Sequence, residues 1–158
     1  MKPKHLAARV AMCLELAKLS NCPRRKFGAL LIDPARNQVI AEGYNGGPRG
    51  GARLCGGDRC YRDELAIESG TRVEVGCVHA EMNVICNAAA SHVSTSGAWL
   101  VVTGEPCRVC AKLIMQSGIA RVYVVQGGYA GGNGVWCLRD NGVDVEYVDG
   151  PKDPRERE

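Results

Sequence analysis

The stretch Trp99–Tyr147, WLVVTGEPCRVCAKLIMQSGIARVYVVQGGYAGGNGVWCLRDNGVDVEY, decides the fold. It holds three short apolar runs: Trp99–Val102, Arg121–Val125, and Val143, Val145 and Tyr147 alternating with Asp144 and Glu146. A helix is predicted between the first two, from about Cys107 to Ser117. Pro106 suits a helix start and Gly118 a helix end. A shorter helical piece, about Val135 to Asp140, separates the last two runs. Strand, helix, strand, helix, strand implies parallel pairing through right-handed crossovers, with helices covering both faces of one sheet. The fold class expected is α/β: a three-layer α/β/α sandwich whose mixed central sheet has parallel C-terminal strands, the last of them at an edge.

Working outward, Leu6, Val10, Leu14 and Ala17 fall three or four apart between Pro3 and Leu19, as on a half-buried helix. Gly28–Ile32 and Gln38–Tyr44 read as a hairpin whose turn is Asp33 to Asn37. His79–Ala90 reads as an alanine-rich helix. Between these lies an irregular insertion, about residues 46–77, rich in glycine and charge, and a loop that long needs something to organise it, such as a metal. The expected organisation is one domain over 1–148 and a charged, proline-containing tail over 149–158.

Composition narrows the function classes. With 158 residues the chain can bury a real core, and its apolar runs are far too short for a bilayer span. Lys2 and Lys4 are followed by no signal-type apolar block, so a cytoplasmic protein is expected. A net charge of +3 argues against nucleic acid as a partner. Nine cysteines, an odd number with no secretory signal, favour metal ligation over disulfides.

Two motifs carry chemistry: C-V-H-A-E at Cys77–Glu81 and E-P-C-R-V-C at Glu105–Cys110. Cys107 and Cys110 are spaced to share one helix face, and the dipole of a first helical turn favours their thiolates. His79, at the start of the other helix, supplies a third ligand and leaves the fourth position of a tetrahedral Zn2+ open to water. Two thiolates cancel the metal's charge and weaken its acidifying power, so a nearby base becomes useful. Glu81 can reach the water without ligating. H-x-E combined with P-C-x-x-C is the signature of the zinc-dependent nucleobase deaminases.

The chain resembles the deoxycytidylate (dCMP) deaminase family within the cytidine deaminase-like fold. The resemblance rests on C-P-R-R-K-F-G-A at Cys22–Ala29, G-Y-N-G-G-P-R-G at Gly43–Gly50, H-A-E-M-N at His79–Asn83 and P-C-R-V-C-A-K-L-I at Pro106–Ile114. The zinc motif is common to several deaminases, whereas G-Y-N-G before a long insertion is similar to the dCMP branch. The resemblance implies hydrolysis of dCMP to dUMP, zinc-activated water attacking C4 while Glu81 moves a proton to N3 and then to the departing ammonia. It also implies substrate contacts from Asn45, Ala80 and Tyr129. Asn45 reads equally as a turn residue beside Gly46, and Tyr129 as packing.

Family likeness further implies a hexamer, activated by dCTP with Mg2+ and inhibited by dTTP, with Lys26, Gly43, Tyr44 and Gly46 facing the effector. Ala90 stands where some regulated relatives carry an arginine. Some relatives place a structural zinc between segments matching Cys22, Cys55, Cys60 and Cys77, and four thiolates would close such a shell. Cys13, Cys86 and Cys137 are expected to be small core residues. Arg24, Arg25 and Arg49 are candidates for phosphate contact. The alternatives are a deaminase of dCTP or of a base in tRNA, and a zinc-stabilised binding module without chemistry.

Overall fold

Short runs of branched aliphatic residues cannot make useful helices but fill a sheet that is buried on both faces. Such runs form five strands here, in a computed structural model that describes residues 1–50, 58–68, 71, 75–128 and 133–150. In chain order the elements are α1 (Pro3–Ala17), β1 (Gly28–Asp33), β2 (Gln38–Tyr44), α2 (Tyr61–Glu64), α3 (Ala80–Ala90), β3 (Trp99–Val102), α4 (Arg108–Gln116), β4 (Arg121–Val125), α5 (Gly134–Asp140) and β5 (Asp144–Val148). The strand order is β2-β1-β3-β4-β5. β1 is antiparallel to both its neighbours, and β3, β4 and β5 are parallel. The sheet is therefore mixed, its C-terminal strands are parallel, and β5 is an edge.

Alternate side chains of the strands face two separate cores. On one side Val10, Cys13 and Leu16 of α1 pack on Leu30, Ile32, Val101 and Tyr123. On the other, Ala80, Val84 and Ala88 of α3, Ala111 and Ile114 of α4, and Leu138 of α5 pack on Ala29, Leu31, Leu100, Val102 and Val122. Two crossovers of the same hand running in one direction put α4 and α5 on the same face, so among the described residues α1 alone covers the other. Each fully buried Val, Leu or Ile contributes about 1.5–3 kcal/mol. No helix among the described residues is long and apolar enough to cross a membrane.

Several local expectations are corrected. α1 stops at Ala17, and Leu19, left outside it, is 58% exposed. Cys13 and Cys137 are core residues, but Cys86 is exposed: the inward stripe of α3 is Ala80, Val84 and Ala88, and position 86 lies two residues off it. On β5 Val145 and Val148 are buried, whereas Tyr147 is 38% exposed and reaches across to Glu105. α2 is a four-residue helix inside the insertion that periodicity gave no hint of.

Gly43 is buried where β2 meets α3. A Cβ there would lie 2.5 Å from the Val84 amide nitrogen and 2.9 Å from the Ala80 carbonyl oxygen. A side chain at this point would push away the helix that carries the Glu81 carboxylate. Asn83 and Asn87 hold the same contact by donating to the carbonyls of Tyr44 (2.6 Å) and Glu42 (2.7 Å).

Candidate metal centre

Two helix N-termini converge at the end of the sheet where β2 and β3 finish. Gly46 and Val78 exchange both backbone hydrogen bonds, which sets Asn45 across from His79. His79 is the N-cap of α3 and Cys107 the N-cap of α4, both in extended conformation. In that position neither side chain is drawn along its helix, and both are directed into the space ahead of the first turns. Cys110, one turn into α4, is fully buried, and its amide donates to the Cys107 sulfur at 3.5 Å.

His79 Nδ1 lies 3.6 Å from Cys107 Sγ and 3.4 Å from Cys110 Sγ. Among the described residues this is the group of three whose possible ligand atoms all lie within 4.8 Å of one another. Zn–S bonds of about 2.3 Å and Zn–N bonds of about 2.0–2.1 Å at a tetrahedral angle require sulfur and nitrogen to be about 3.5 Å apart. The observed spacings meet that requirement, so the residues present fit a zinc ion.

Electrostatics supports the same reading. Its sulfur-to-sulfur hydrogen bond with Cys110, aided by His79, brings the Cys107 thiol down to about 3. Cys110 is pushed the opposite way, chiefly by the same bond and by burial, as expected when two thiols share one proton. His79 is raised above its ordinary value, first by its contact with Cys107. A lowered Cys107 thiol beside two further potential ligand atoms is the chemistry of a metal-ligating cysteine.

Glu81, in the first turn of α3, is 5% exposed. Burial raises its carboxyl above the usual carboxylate range, while its own backbone amide and His79 pull it down. The Glu81 carboxyl is thus buried beside the His79, Cys107 and Cys110 cluster without being one of its three members.

The other expected positions are distributed as follows. Ala80 is buried at the first position of α3, among the orphan amide donors of the helix start. Asn45 is 4% exposed and tied to the segment before β1: its Oδ1 accepts from the Phe27 amide at 2.7 Å and its Nδ2 donates to the Arg25 carbonyl at 2.8 Å. Tyr44 is 39% exposed, and Lys26 reaches the Lys18 carbonyl at 3.4 Å. Arg24 pairs with Asp63 at 3.2 Å and Arg49 with Asn87 at 2.8 Å. Tyr129 and Cys55 lie outside the described residues.

Of the second cysteine set, Cys22 and Cys77 meet: the hydrogen bond from Cys77 is the main cause holding the Cys22 thiol at about 5. Cys60 is buried but does not join them at ligand distance. Thr103 was not foreseen. It is 6% exposed, and its hydroxyl accepts from the Gly28 amide at 3.0 Å, tying β1 to the start of the ligand-bearing turn. Its position at the end of an apolar run carries no signal in the sequence.

Fold and site together define a class: an α/β/α protein that presents a three-ligand metal position and a buried carboxylate at two helix starts. The family described as the cytidine and deoxycytidylate deaminase zinc-binding region matches residues 3–126. The chain belongs to that family. It is 36% identical over 135 residues to ComE operon protein 2 of Bacillus subtilis, covering 85% of this chain and 66% of that one. It is 39% identical over 107 residues to the deoxycytidylate deaminase of Schizosaccharomyces pombe, covering 67% of this chain and 32% of that one. The chain thus spans about two thirds and one third of these relatives' lengths. The crystal structure of dCMP deaminase from the cyanophage S-TIM5 with dCMP and dUMP superposes with a TM-score of 0.77 at 30% identity, covering 94% of this chain and 99% of that one.

Proposed function

We propose that the protein hydrolyses dCMP to dUMP and ammonia. The observation that carries this is the Glu81 carboxylate, buried beside His79, Cys107 and Cys110, which supply three of four tetrahedral positions. When bound there, zinc supplies an acidified, nucleophilic water. Glu81 takes the water's proton, delivers it to N3 of the cytosine ring as C4 is attacked, and passes a proton to the departing amino group. Burial favours this cycle, because it raises the affinity of the carboxyl for the proton that it must take from water. Ala80, at the helix start, offers its backbone amide to the base, and Asn45 stands across from His79 at the sugar side.

An anionic nucleotide is supported by a cavity of about 560 Å³ at the ends of β3 and β4, lined by Arg25, Lys26, Phe27, Thr103 and Gln126–Gly128. Two cations beside a glycine-containing turn suit a phosphate. The cyanophage enzyme, captured with dCMP and dUMP, supports the same substrate. Ammonia release from dCMP, dCTP, cytidine and a tRNA hairpin tests the reading, with dCMP expected to turn over best. Ready turnover of another substrate with none of dCMP would replace it.

Regulation belongs to the same reading: dCTP with Mg2+ raises and dTTP lowers the rate of a hexamer, through Lys26, Gly43, Tyr44 and Gly46. Tyr44 is open to solvent there, whereas the need for glycine at 43 is already met by α3. Insensitivity of the dCMP rate to both nucleotides rejects this part alone. A structural zinc on Cys22, Cys55, Cys60 and Cys77 is supported by the Cys22–Cys77 pair. Two zinc ions per chain are expected by metal analysis of undamaged protein, and one would remove the second site.

A further inference from the structure

The turn 103–107, which leads from β3 to the ligand Cys107, is touched at three points by the C-terminal part of the fold. Gly134 opens α5 directly against it. A Cβ there would fall inside the Pro106 carbonyl oxygen, 2.7 Å from the Pro106 carbonyl carbon and 3.0 Å from that of Cys107. Gly128, just after β4, does the same to the other end: its Cβ would overlap the Thr103 carbonyl and lie 3.1 Å from Gly104 Cα. Neither glycine has a positive φ, so conformation does not demand glycine at either place. Gly142 is the contrasting case, with φ +82° and nothing within 4 Å of its Cβ position. Between the two backbone contacts, the Tyr147 hydroxyl of β5 donates to Glu105 Oε1 at 2.6 Å. Tyr147 is in turn stacked by Arg139, whose guanidinium carbon lies 5.5 Å from the ring centre and which donates to the Val145 carbonyl at 3.0 Å.

We propose that β4, α5 and β5 brace the ligand-bearing turn, with Gly128, Gly134 and Tyr147 as positioning residues for Cys107. Cys107 is an N-cap whose own amide makes no intrahelical bond, so the peptide before it acts together with the Cys110 amide to set where its sulfur points. Gly134 packs on that peptide, Tyr147 holds the side chain preceding it, and Gly128 holds the root of the turn. A helix of glycine-free sequence could not approach so closely, and in exchange α5 tolerates a residue that weakens its first turn by about 0.5–1 kcal/mol relative to alanine. The proposal rests on the metal-centre reading and not on the identity of the substrate.

Cobalt-substituted Cys22→Ser, Cys60→Ser protein, the parent for the variants, reads the sulfur geometry of the His79 site through its thiolate-to-metal absorption, without substrate. Gly134→Ala is expected to shift that absorption and to weaken zinc binding by about 10- to 100-fold, the range typical of groups that orient a ligand. Tyr147→Phe is expected to shift the absorption in the same direction and to weaken zinc binding by about tenfold. Gly97→Ala, which strains a left-handed turn (φ +74°) before β3, at the end of that strand opposite the ligand-bearing turn, is expected to lower Tm while leaving absorption and zinc affinity as in the parent. Parent-like absorption and affinity in either Gly134→Ala or Tyr147→Phe overturns the brace; should Gly134→Ala fail to fold, Tyr147→Phe alone decides. A parent protein that binds no cobalt through thiolates would reject the metal centre itself, a separate result.

Discussion

Glu81→Gln is expected to abolish deamination of dCMP, by about 10²–10⁴-fold or more, while zinc content stays that of the parent. The amide has nearly the shape of the carboxylate but cannot carry a proton from water to N3, and it is not a ligand. A purely structural zinc site would gain nothing from a buried carboxylate, so this variant separates a catalyst from a binding module. Its stability moves the other way. The folded-state value for Glu81 is raised by burial, so the folded chain binds more protons than the unfolded one. Stability contributed by this group is then present at low pH and lost as pH rises from the ordinary carboxylate range through the higher folded value. At neutral pH the carboxylate is therefore a burden on the metal-free protein, and zinc-stripped Glu81→Gln is expected to melt above the zinc-stripped parent. Equal melting points would show that the group is not strained by burial, and unchanged turnover would show that it is not the proton carrier.

Removing the metal is expected to have the largest effect. On the proposed mechanism, the nucleophile without zinc is ordinary water, whose pKa of about 15.7 the metal would lower by several units, each worth about 1.4 kcal/mol. Chelator-treated protein is expected to lose more than about 10⁴-fold in deamination rate and to recover on adding zinc. Because the ligand set is assembled only in the folded chain, stripping is also expected to lower Tm. At a free zinc concentration 100 times the dissociation constant the linkage is about 2.7 kcal/mol. Cys107→Ala is expected to reproduce both losses and not to recover with zinc. Full activity after removal of all zinc would contradict the mechanism.

The legible part of the fold lies where local chemistry and tertiary environment agree. β3 and β4 could be read because their apolar runs are buried in the sheet, and α4 because Pro106 and Gly118 punctuate it between them. The metal set was legible for a related reason: His79 and Cys107 sit at helix starts, and helix starts leave marks in sequence. Positions decided by distant contacts were not. Tyr147 continues an alternating pattern, yet it turns to Glu105 across the edge, and Val148 takes the buried place. Cys86 looks like its neighbours in an apolar helix, but the helical angle carries it off the buried stripe. Asn45 offered two readings, and the hydrogen bonds to Phe27 and Arg25 show a clamp that neither reading included. The meeting of Cys22 with Cys77 spans the whole insertion, and no local pattern encodes it.

X-ray absorption at the zinc edge of the Cys22→Ser, Cys60→Ser protein, which leaves the His79 site intact, tests the central claim most directly. One nitrogen, two sulfurs and one further light atom from solvent are predicted, the light atom being exchangeable and lost to an added anion. Four protein ligands, or a shell of more than two sulfurs, would contradict an open metal corner beside Glu81.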